Sequence, residues 1–587
     1  MKKQKKKNKN KPKRRRMPIE ETRRSQTVKA SSKNVPTHIT NRPNNVGQTT
    51  IENGDRDLLI ALIIDKLKSN SFKEALKIAN DILIEFPSNV EALNLSGVAA
   101  FQLGIIEEAL KKLKAAAIIA PDNPAVQTNL GNVLTSTGRH KDADKVYRKA
   151  MSINPPYADA YFNFGVLMEH QERYGAALNA HRKATNINSD HTLAWQALGN
   201  LSNKMGLYKD ARNAYEEALK LEPNSADTHT NLAAVLTEQG LLEEAEDKCR
   251  RAIVLDPELI EAKYNLGTVL QESGNYVDAI EIYKEVLSLD SRHAAAAMNI
   301  AYGMQQLGKL EEADEAFKKT INLDPEFAQA YTNYADLQLQ RGEPETALQI
   351  CDGFLDRHPG DTSVLAYKSV VLRDLGDDVG AENLISFDRF LESKWLQLPE
   401  KYKTIDEFNI ALTEHVKFHP SLSYAPQSHA TRQAEHSGEL MEGVKGPIED
   451  LEAQIWKAIS IYENCKIIEP IHPFIVAKPE KKKLSIWGVV MKESGHQIPH
   501  IHPAAWLSGV YYPEVPEVIY QQKDTTEGFL IFGTVPEHFN NIKCAKTRSI
   551  RPRPGMLVLF PSYYYHHTNQ FSADGSRTSI AFDVLPG

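Results

Sequence analysis

The sequence predicts a protein of several domains, in which an α-solenoid of about ten helical repeats precedes an α+β domain with a jelly-roll core. Two patterns support this expectation. Small residues, turn glycines and prolines recur every 34 residues through most of the chain, and short runs rich in β-branched and aromatic residues follow residue 473. A chain of 587 residues is also too long for a single hydrophobic core.

The first 50 residues are predicted to form a disordered basic tail. Residues 1–24 contain thirteen Lys or Arg against only Glu20 and Glu21, and a segment with so few apolar residues cannot bury a core. Its positive charge suits contact with phosphates, so nucleic-acid or ribosome contact and a nuclear import signal stand beside a purely solvating role.

Composition narrows the class of protein. A hydrophobic content of 41% and a charged content of 25% are typical of a soluble globular chain. The sequence has no run of about eighteen apolar residues, so we expect no transmembrane helix and no membrane partner. The four cysteines are far apart and lack a C-x-x-C pair, which fits a reducing compartment. We therefore expect a cytoplasmic location, or a nuclear one if the source is eukaryotic.

The repeat region is predicted to span residues 56–395. In each unit a small residue lets two antiparallel helices approach closely, a glycine ends the first helix, and a proline ends the second. This period and pattern resemble the tetratricopeptide repeat, which implies stacked helix pairs and a concave groove for a peptide or protein partner. The small residues are Gly97, Gly131, Gly165, Gly199, Ala233, Gly267, Ala301, Ala335 and Ser369.

Asparagine recurs just before the close-packing position of six repeats, on the helix that we expect to face the groove. An amide both donates and accepts hydrogen bonds, so a row of amides suits an extended peptide backbone. The row resembles the asparagine ladder of O-linked N-acetylglucosamine transferases, whose repeats hold peptides in this way. The alternative is that asparagine is simply common at this position of the repeat. The residues are Asn129, Asn163, Asn231, Asn265, Asn299 and Asn333.

The 34-residue register ends near residue 385, and we assign residues 396–587 to a C-terminal domain. Apolar residues at helical spacing predict helices at 405–418 and 448–466, with a loop at 420–446 between them. Short apolar runs separated by glycine and proline then indicate a β-sandwich or barrel. The predicted strands are 484–491, 506–512, 529–533, 556–560 and 577–584.

Three histidines of this domain form a candidate metal site. His500 and His502 lie at i and i+2 on an expected strand, and therefore on one face of it, because strand side chains alternate. His566 follows on another strand. Arg577 comes eleven residues later and Ser579 two residues after that. This order of residues resembles that of iron(II) and 2-oxoglutarate-dependent oxygenases.

The resemblance is to prolyl-hydroxylase-like oxygenases that are fused to tetratricopeptide repeats. It also includes the segments 508–512, 554–555, 560–562 and 579–582. It implies a double-stranded β-helix core in which the three histidines bind Fe(II), for which imidazole nitrogen is a suitable ligand. It further implies that Arg577 and Ser579 bind the distal carboxylate of the co-substrate 2-oxoglutarate.

One position departs from the general pattern of the class, which is His-x-Asp or His-x-Glu. The chain has His502 in place of the carboxylate, and three-histidine iron sites occur in other dioxygenases. We therefore expect an oxygenase that hydroxylates a peptide or protein recruited by the repeat groove. The alternative is a non-catalytic repeat adaptor that mediates protein–protein interactions and has a structural or metal-binding jelly roll. A cupin-type dioxygenase without 2-oxoglutarate also suits three histidines, but it has no need for Arg577 and Ser579.

Overall fold

A computed structural model describes residues 51–425, 430–441, 445–466, 472–521, 525–536, 546–572 and 575–587. The basic tail expected at residues 1–50 lies outside these ranges, so its disorder and its contacts stay predictions. Among the described helices, none combines the length and the apolar character needed to cross a membrane.

Helices in antiparallel pairs make up the repeat region, as predicted. Consecutive helices pack against each other from α1 to α9 and from α11 to α20, so that within each of these two runs every pair stacks on the following pair. The helices are α1 Ile51–Lys68, α2 Phe72–Glu85, α3 Val90–Gln102, α4 Ile106–Ile119, α5 Pro124–Ser136, α6 His140–Ser152, α7 Ala158–His170, α8 Tyr174–Ile187, α9 Thr192–Lys204, α10 Tyr208–Leu221, α11 Ala226–Glu238, α12 Leu242–Leu255, α13 Ile260–Glu272, α14 Tyr276–Leu289, α15 Ala294–Gln306, α16 Leu310–Leu323, α17 Ala328–Gln340, α18 Pro344–Leu355, α19 Thr362–Asp374 and α20 Asp378–Leu384.

The recurring small residue has a steric cause. A Cβ atom at Gly131 would lie 2.5 Å from the ring of Tyr147, and one at Gly97 would lie 2.6 Å from the side chain of Leu113. These distances are below van der Waals contact, so a larger residue would force the paired helices apart. The turn glycine that follows has a conformational cause, since Gly138 has a φ of +73°, which L-residues rarely adopt.

The described chain divides into two compact units. One unit comprises Met205–Arg212 and Asn224–Gly587, and the other comprises the described residues up to Lys204 together with Asn213–Pro223. The last helix pair, α19 and α20, therefore lies in the same unit as the C-terminal domain. Its side chains enter the hydrophobic core of that domain, where Leu365, Val370 and Leu384 are buried.

The C-terminal domain combines short helices with a curled antiparallel sheet. The predicted helices at 405–418 and 448–466 are present, and so are all five predicted strands. The helices are α21 Phe387–Phe390, α22 Ile405–Lys417, α23 Pro447–Lys466, α24 Pro473–Val476 and α25 Glu517–Gln521. The strands are β1 Glu392–Trp395, β2 Ser423–Tyr424, β3 Thr431–His436, β4 Lys482–His500, β5 Leu507–Glu514, β6 Leu530–Phe532, β7 Arg548–Ile550, β8 Met556–Pro561, β9 His566–Thr568 and β10 Arg577–Pro586.

Strand β4 joins the two halves of the sheet. The strand order is β1-β8-β5-β10-β4-β9-β6-β7, and every pairing in it is antiparallel. The first half of β4 pairs with β10, from Lys482 to Met491, and its last residue, His500, pairs with His566 of β9. A single strand that takes part in both halves curls the sheet into the expected jelly-roll arrangement.

Two predictions for this domain concern the segment 420–446 and the position of its N-terminal boundary. The prediction of a loop throughout residues 420–446 is wrong, because Thr431–His436 forms β3 along one edge of β4. The apolar alternation that marks a half-buried strand is missing there, so the pattern gave no signal. The predicted boundary between residues 395 and 396 stays a prediction. The sheet itself begins earlier, since Glu392 of β1 pairs with Leu559 of β8.

Candidate metal centre

The pairing of β4 with β9 brings two of the three histidines together. His500 is the last residue of β4 and lies directly opposite His566, the first residue of β9. Directly opposed residues of an antiparallel pair have their side chains on the same face of the sheet. His502 follows β4 by two residues, and its backbone N–H donates to the carbonyl of Ser562, 3.0 Å away. The chain turn after β4 is thereby held against the end of β8.

The three imidazole rings converge. The ring centroids of His500 and His566 are 4.2 Å apart, those of His500 and His502 are 5.3 Å apart, and those of His502 and His566 are 5.1 Å apart. One nitrogen from each ring lies within 4.8 Å of the other two. Within the described ranges, this is the one cluster of histidine, cysteine or acidic side chains with metal-binding spacing.

Backbone carbonyl groups fix the proton positions on two of the rings. Nδ1 of His500 lies 2.8 Å from the carbonyl oxygen of Ile498, and Nδ1 of His566 lies 2.9 Å from that of Tyr564. A carbonyl oxygen only accepts hydrogen bonds, so Nδ1 carries the proton in both rings. Their Nε2 atoms therefore carry the lone pair with which a neutral imidazole binds a metal.

The third ring, that of His502, is hydrogen-bonded to a carboxylate. Nδ1 of His502 donates to Oδ1 of Asp583 at 2.7 Å. The same carboxylate oxygen accepts a hydrogen bond of 2.7 Å from the hydroxyl of Ser508, which is itself 2.8 Å from the hydroxyl of Ser562. The carboxylate thus holds the ring of His502 in one orientation, and two buried serines hold the carboxylate.

The surroundings of the cluster favour the neutral form of its imidazole rings. Burial and the neighbouring imidazole of His502 lower the pKa of His500 to about 3. Burial and the other rings hold the pKa of His566 well below its usual value of 6.5. Both desolvation and nearby imidazolium charge disfavour a protonated ring. At neutral pH these two rings are therefore uncharged and ready to act as ligands.

Aromatic side chains surround the histidines. The ring of Phe560 lies 4.7 Å from that of His566, the ring of Phe532 lies 5.9 Å from it, and the ring of Trp487 lies 5.6 Å from that of His502. Such walls reduce the number of water molecules near the nitrogens, which strengthens electrostatic interactions within the site.

Arg577 occupies the first position of β10 and is only 2% exposed. Its Nη2 donates to the hydroxyl of Tyr512 at 3.3 Å, and its guanidinium lies 5.0 Å from the centre of that ring. Its Nε and Nη1 are buried without a hydrogen-bond partner among the described residues, and burial lowers the pKa of the side chain. A buried cation with two unpaired donors fits an anionic ligand.

One face of β10 connects this arginine with the histidine cluster. Arg577, Ser579 and Asp583 are separated by even numbers of residues, so alternation places them on the same face of the strand. Ser579 is 5% exposed, and Asp583 contacts His502. The face therefore runs from a candidate carboxylate site to a candidate metal site.

Sequence reasoning assigned no role in the site to three residues of this arrangement. Asp583, Ser508 and Ser562 form the network behind His502. Parity with Arg577 and Ser579 could have drawn attention to Asp583, but only the strand register shows that it reaches His502. Tyr512, which contacts Arg577, was also left out, because aromatic residues on strands are more often part of a core.

The asparagines of the repeats are more deeply placed than expected. Asn129, Asn163 and Asn299 are 5%, 3% and 7% exposed. Their amide groups donate within the chain, to Oδ1 of Asn94, to the carbonyl of Asp159 and to the hydroxyl of Tyr283, respectively. The other three, Asn231, Asn265 and Asn333, are half-buried, and peptide binding by the set stays a prediction.

Comparison with protein families assigns both parts of the chain. A family model described as "Putative 2OG-Fe(II) oxygenase" matches residues 485–583, which include the three histidines, Arg577, Ser579 and Asp583. Models described as "Tetratricopeptide repeat" match the preceding region. The matched ranges are 60–124, 124–157, 197–260, 260–293, 294–327 and 316–349. A search of curated proteins found no match.

Solved structures resemble parts of the chain. YrrB, described as a TPR protein with an unusual peptide-binding site, is 26% identical and covers 32% of this chain and 96% of its own, with a TM-score of 0.29. MamA is 24% identical over 29% and 94% of the two chains, with a TM-score of 0.28. PilF of Pseudomonas aeruginosa is 20% identical over 34% and 92%, with a TM-score of 0.31.

The repeat spacing, the helix pairs, the curled sheet and the family models agree with one another. The chain is therefore a tetratricopeptide-repeat protein that carries a 2OG-Fe(II) oxygenase domain.

Proposed function

We propose that this protein is an Fe(II)- and 2-oxoglutarate-dependent dioxygenase that hydroxylates a peptide or protein recruited by its tetratricopeptide repeats. The observation that carries the proposal is the pairing of two sites on one curled sheet. Three imidazoles converge at one end of β10, and a buried arginine with two unpaired N–H groups lies at its other end.

The residues fit the metal. Nitrogen atoms of His500, His502 and His566 would hold Fe(II), for which imidazole is a suitable ligand. Low pKa values at His500 and His566 keep two rings unprotonated at neutral pH, and protonation is the main competitor of metal binding at histidine. When bound, the iron would let O2 react with 2-oxoglutarate, which is oxidised to succinate and CO2, so that one oxygen atom of O2 ends in succinate and the other in the new hydroxyl group of the substrate.

The residues also fit the co-substrate. A carboxylate at Arg577 would accept from the unpaired Nε and Nη1 groups and would neutralise a cation that is buried alone. The hydroxyl of Ser579 would add a third donor on the same face of β10. Tyr512 restrains the guanidinium by a hydrogen bond and by its ring face. The site is thereby set to bind a dianion before any substrate arrives.

The last repeat supports a role for the repeats in presenting the substrate. Oγ1 of Thr362 donates to the carbonyl of Ala505, three residues after His502, at 3.1 Å. Nη1 of Arg373 donates to the carbonyl of Gly533, which follows Phe532, at 3.4 Å. Helix α19 of the last repeat is therefore hydrogen-bonded to two loops that lie close to the histidine cluster.

A repeat adaptor without catalysis is the second candidate, and one observation favours it. His502 stands where the class has a carboxylate, which leaves the metal without a negatively charged ligand. A jelly roll that binds a metal only for stability, combined with repeats that bind partners, would have no need of that charge.

Turnover separates the two candidates. Conversion of 2-oxoglutarate to succinate by the full-length protein is expected to require Fe(II). It should fall by at least a hundredfold in His566→Ala, because a metal ligand is lost. In Arg577→Ala the main effect should be a higher KM for 2-oxoglutarate, because the carboxylate loses its partner. Succinate is measured by mass spectrometry with and without peptide mixtures.

A matched control is available beside the site. His567 follows His566, but its Nε2 donates to Oδ1 of Asn569, outside the cluster of three, so His567→Gln should keep the wild-type rate. If iron-loaded wild type forms no succinate with or without peptides, the adaptor is the correct function.

A further inference from the structure

Asp583 carries a charged side chain that is hydrogen-bonded directly to one of the three histidines, His502. Its Oδ1 receives 2.7 Å hydrogen bonds from Nδ1 of His502 and from the hydroxyl of Ser508. The side chains of His502 and Asp583 are 13% and 14% exposed. Their interaction therefore takes place largely out of contact with solvent, where it is little screened.

The strand register places this carboxylate. Asp583 of β10 lies directly opposite Ser508 of β5 on one side and Ser485 of β4 on the other. Ser508 and Ser562 are completely buried, and the carbonyl of Ser562 accepts the backbone N–H of His502. Both the ring and the backbone of His502 are thus tied to the same network.

The three histidines are not equivalent. Nδ1 of His500 and of His566 donates to neutral backbone carbonyls, whereas Nδ1 of His502 donates to a carboxylate. A carboxylate behind a metal-binding imidazole fixes its orientation and makes the ring a stronger electron donor to the metal. The histidine with this support is the one that stands at the carboxylate position of the class.

We infer that Asp583 is a positioning residue that orients His502 and supplies, through its imidazole, the negative charge that a carboxylate ligand would supply directly. The inference rests on the proposed function, because it requires a metal at the cluster. The charges agree: Fe(II) with two neutral histidines and one carboxylate has a net charge of +1, and so does Fe(II) with three neutral histidines and Asp583. Replacing the ligand therefore leaves the total charge of the site unchanged.

A double-mutant cycle on metal affinity tests this assignment. The dissociation constant for Co(II) is measured by competition with a chelating dye for full-length wild type, Asp583→Asn, His502→Asp and the double variant. Asparagine keeps the shape of the side chain and an oxygen acceptor for His502, so Asp583→Asn removes mainly the charge. We expect it to weaken Co(II) binding at least tenfold, since loss of such partners typically weakens binding 10- to 100-fold.

The His502→Asp background gives the decisive comparison. There the carboxylate is a direct ligand, and Asp583 would repel it, so Asp583→Asn should leave the affinity unchanged or improve it. A merely structural role of Asp583 would weaken binding equally in both backgrounds. Glu480→Gln, which removes an exposed carboxylate of the same domain, is the matched control and should bind Co(II) as wild type does.

Ser508→Ala provides a second variant in case Asp583→Asn fails to fold. It keeps the carboxylate but removes one of its donors, so a smaller loss of Co(II) affinity is expected, together with an altered visible absorption spectrum of the bound ion. The inference is overturned if Asp583→Asn binds within twofold of wild type, if the loss is equal in both backgrounds, or if Ser508→Ala changes neither readout. Absence of Co(II) binding by wild type would overturn the proposed function as well, so the two failures are distinguishable.

Discussion

At the scale of single residues, the candidate chemistry depends on which nitrogen of each imidazole carries the proton. Carbonyl acceptors at Ile498 and Tyr564 and the carboxylate of Asp583 all engage Nδ1. The three rings therefore share one tautomer, with the lone pair on Nε2. This shared tautomer leaves one Nε2 lone pair on each of the three rings for a metal ion.

The low pKa values predict how stability depends on pH in the metal-free protein. In the unfolded chain both His500 and His566 titrate near 6.5, but in the folded chain the pKa of His500 is about 3 and that of His566 lies well below 6.5. Between these values the unfolded chain binds more protons, so the free energy of unfolding rises with pH. Acidification from pH 7 to pH 4 should therefore lower the urea midpoint, measured with a chelator present.

The double variant His500→Gln/His566→Gln tests whether these two histidines cause the pH dependence of stability. It has no imidazole to protonate at these positions, so its midpoint should change less over the same pH range than that of wild type. Equal pH dependence in the two proteins would show that other groups are responsible.

Site residues that belong to a sequence pattern could be predicted from the sequence. Site residues that come into contact only through strand pairing could not. Two-residue spacing and the order of the chain pointed to His500, His502, His566 and Arg577. Asp583 escaped notice because its contact with His502 depends on which strands are neighbours and in what register. For the asparagines, periodicity predicted the helix position, but the depth of burial depends on how adjacent repeats pack.

At the scale of elements, β4 differs most from expectation. The predicted strand covers 484–491, whereas the structure has one strand from Lys482 to His500. Ser494 with a φ of +67° and the glycine after it interrupt the apolar alternation, and the pairing shifts register between Gln497 and His500. The sequence of the second half of β4 resembles that of a turn, and pairing with β3 and β9 keeps this part of the backbone extended.

The shared core predicts where the oxygenase domain can be separated. A fragment of residues 396–587 lacks β1 and helices α19 to α21, whose buried side chains belong to the domain core. Truncating one large buried side chain costs about 2–5 kcal/mol, and a whole domain is stable by only about 5–15 kcal/mol. This fragment should therefore fail to unfold cooperatively.

A longer fragment of residues 328–587 is the control. It keeps α19 together with α17 and α18, which pack on it, so it should show a cooperative thermal transition by circular dichroism. A cooperative transition in the shorter fragment, at the same temperature, would contradict the idea that the last repeat is part of the oxygenase core.

At the scale of the whole molecule, the last repeat connects the tetratricopeptide repeats to the oxygenase domain. Thr362 and Arg373 on α19 donate hydrogen bonds to the carbonyl groups of Ala505 and Gly533 in the C-terminal domain. The 34-residue period predicted the repeats, and the histidines and arginine predicted the chemistry. Neither pattern predicted these hydrogen bonds of α19, because they join residues about 140 to 160 positions apart in the chain.

The most direct test of the central claim is anomalous diffraction from crystals of the protein prepared anaerobically with Fe(II) and 2-oxoglutarate. We predict one anomalous peak among the nitrogens of His500, His502 and His566, and density for a carboxylate at Nε and Nη1 of Arg577. An iron peak elsewhere, no peak, or an Arg577 side chain turned away to solvent would contradict it.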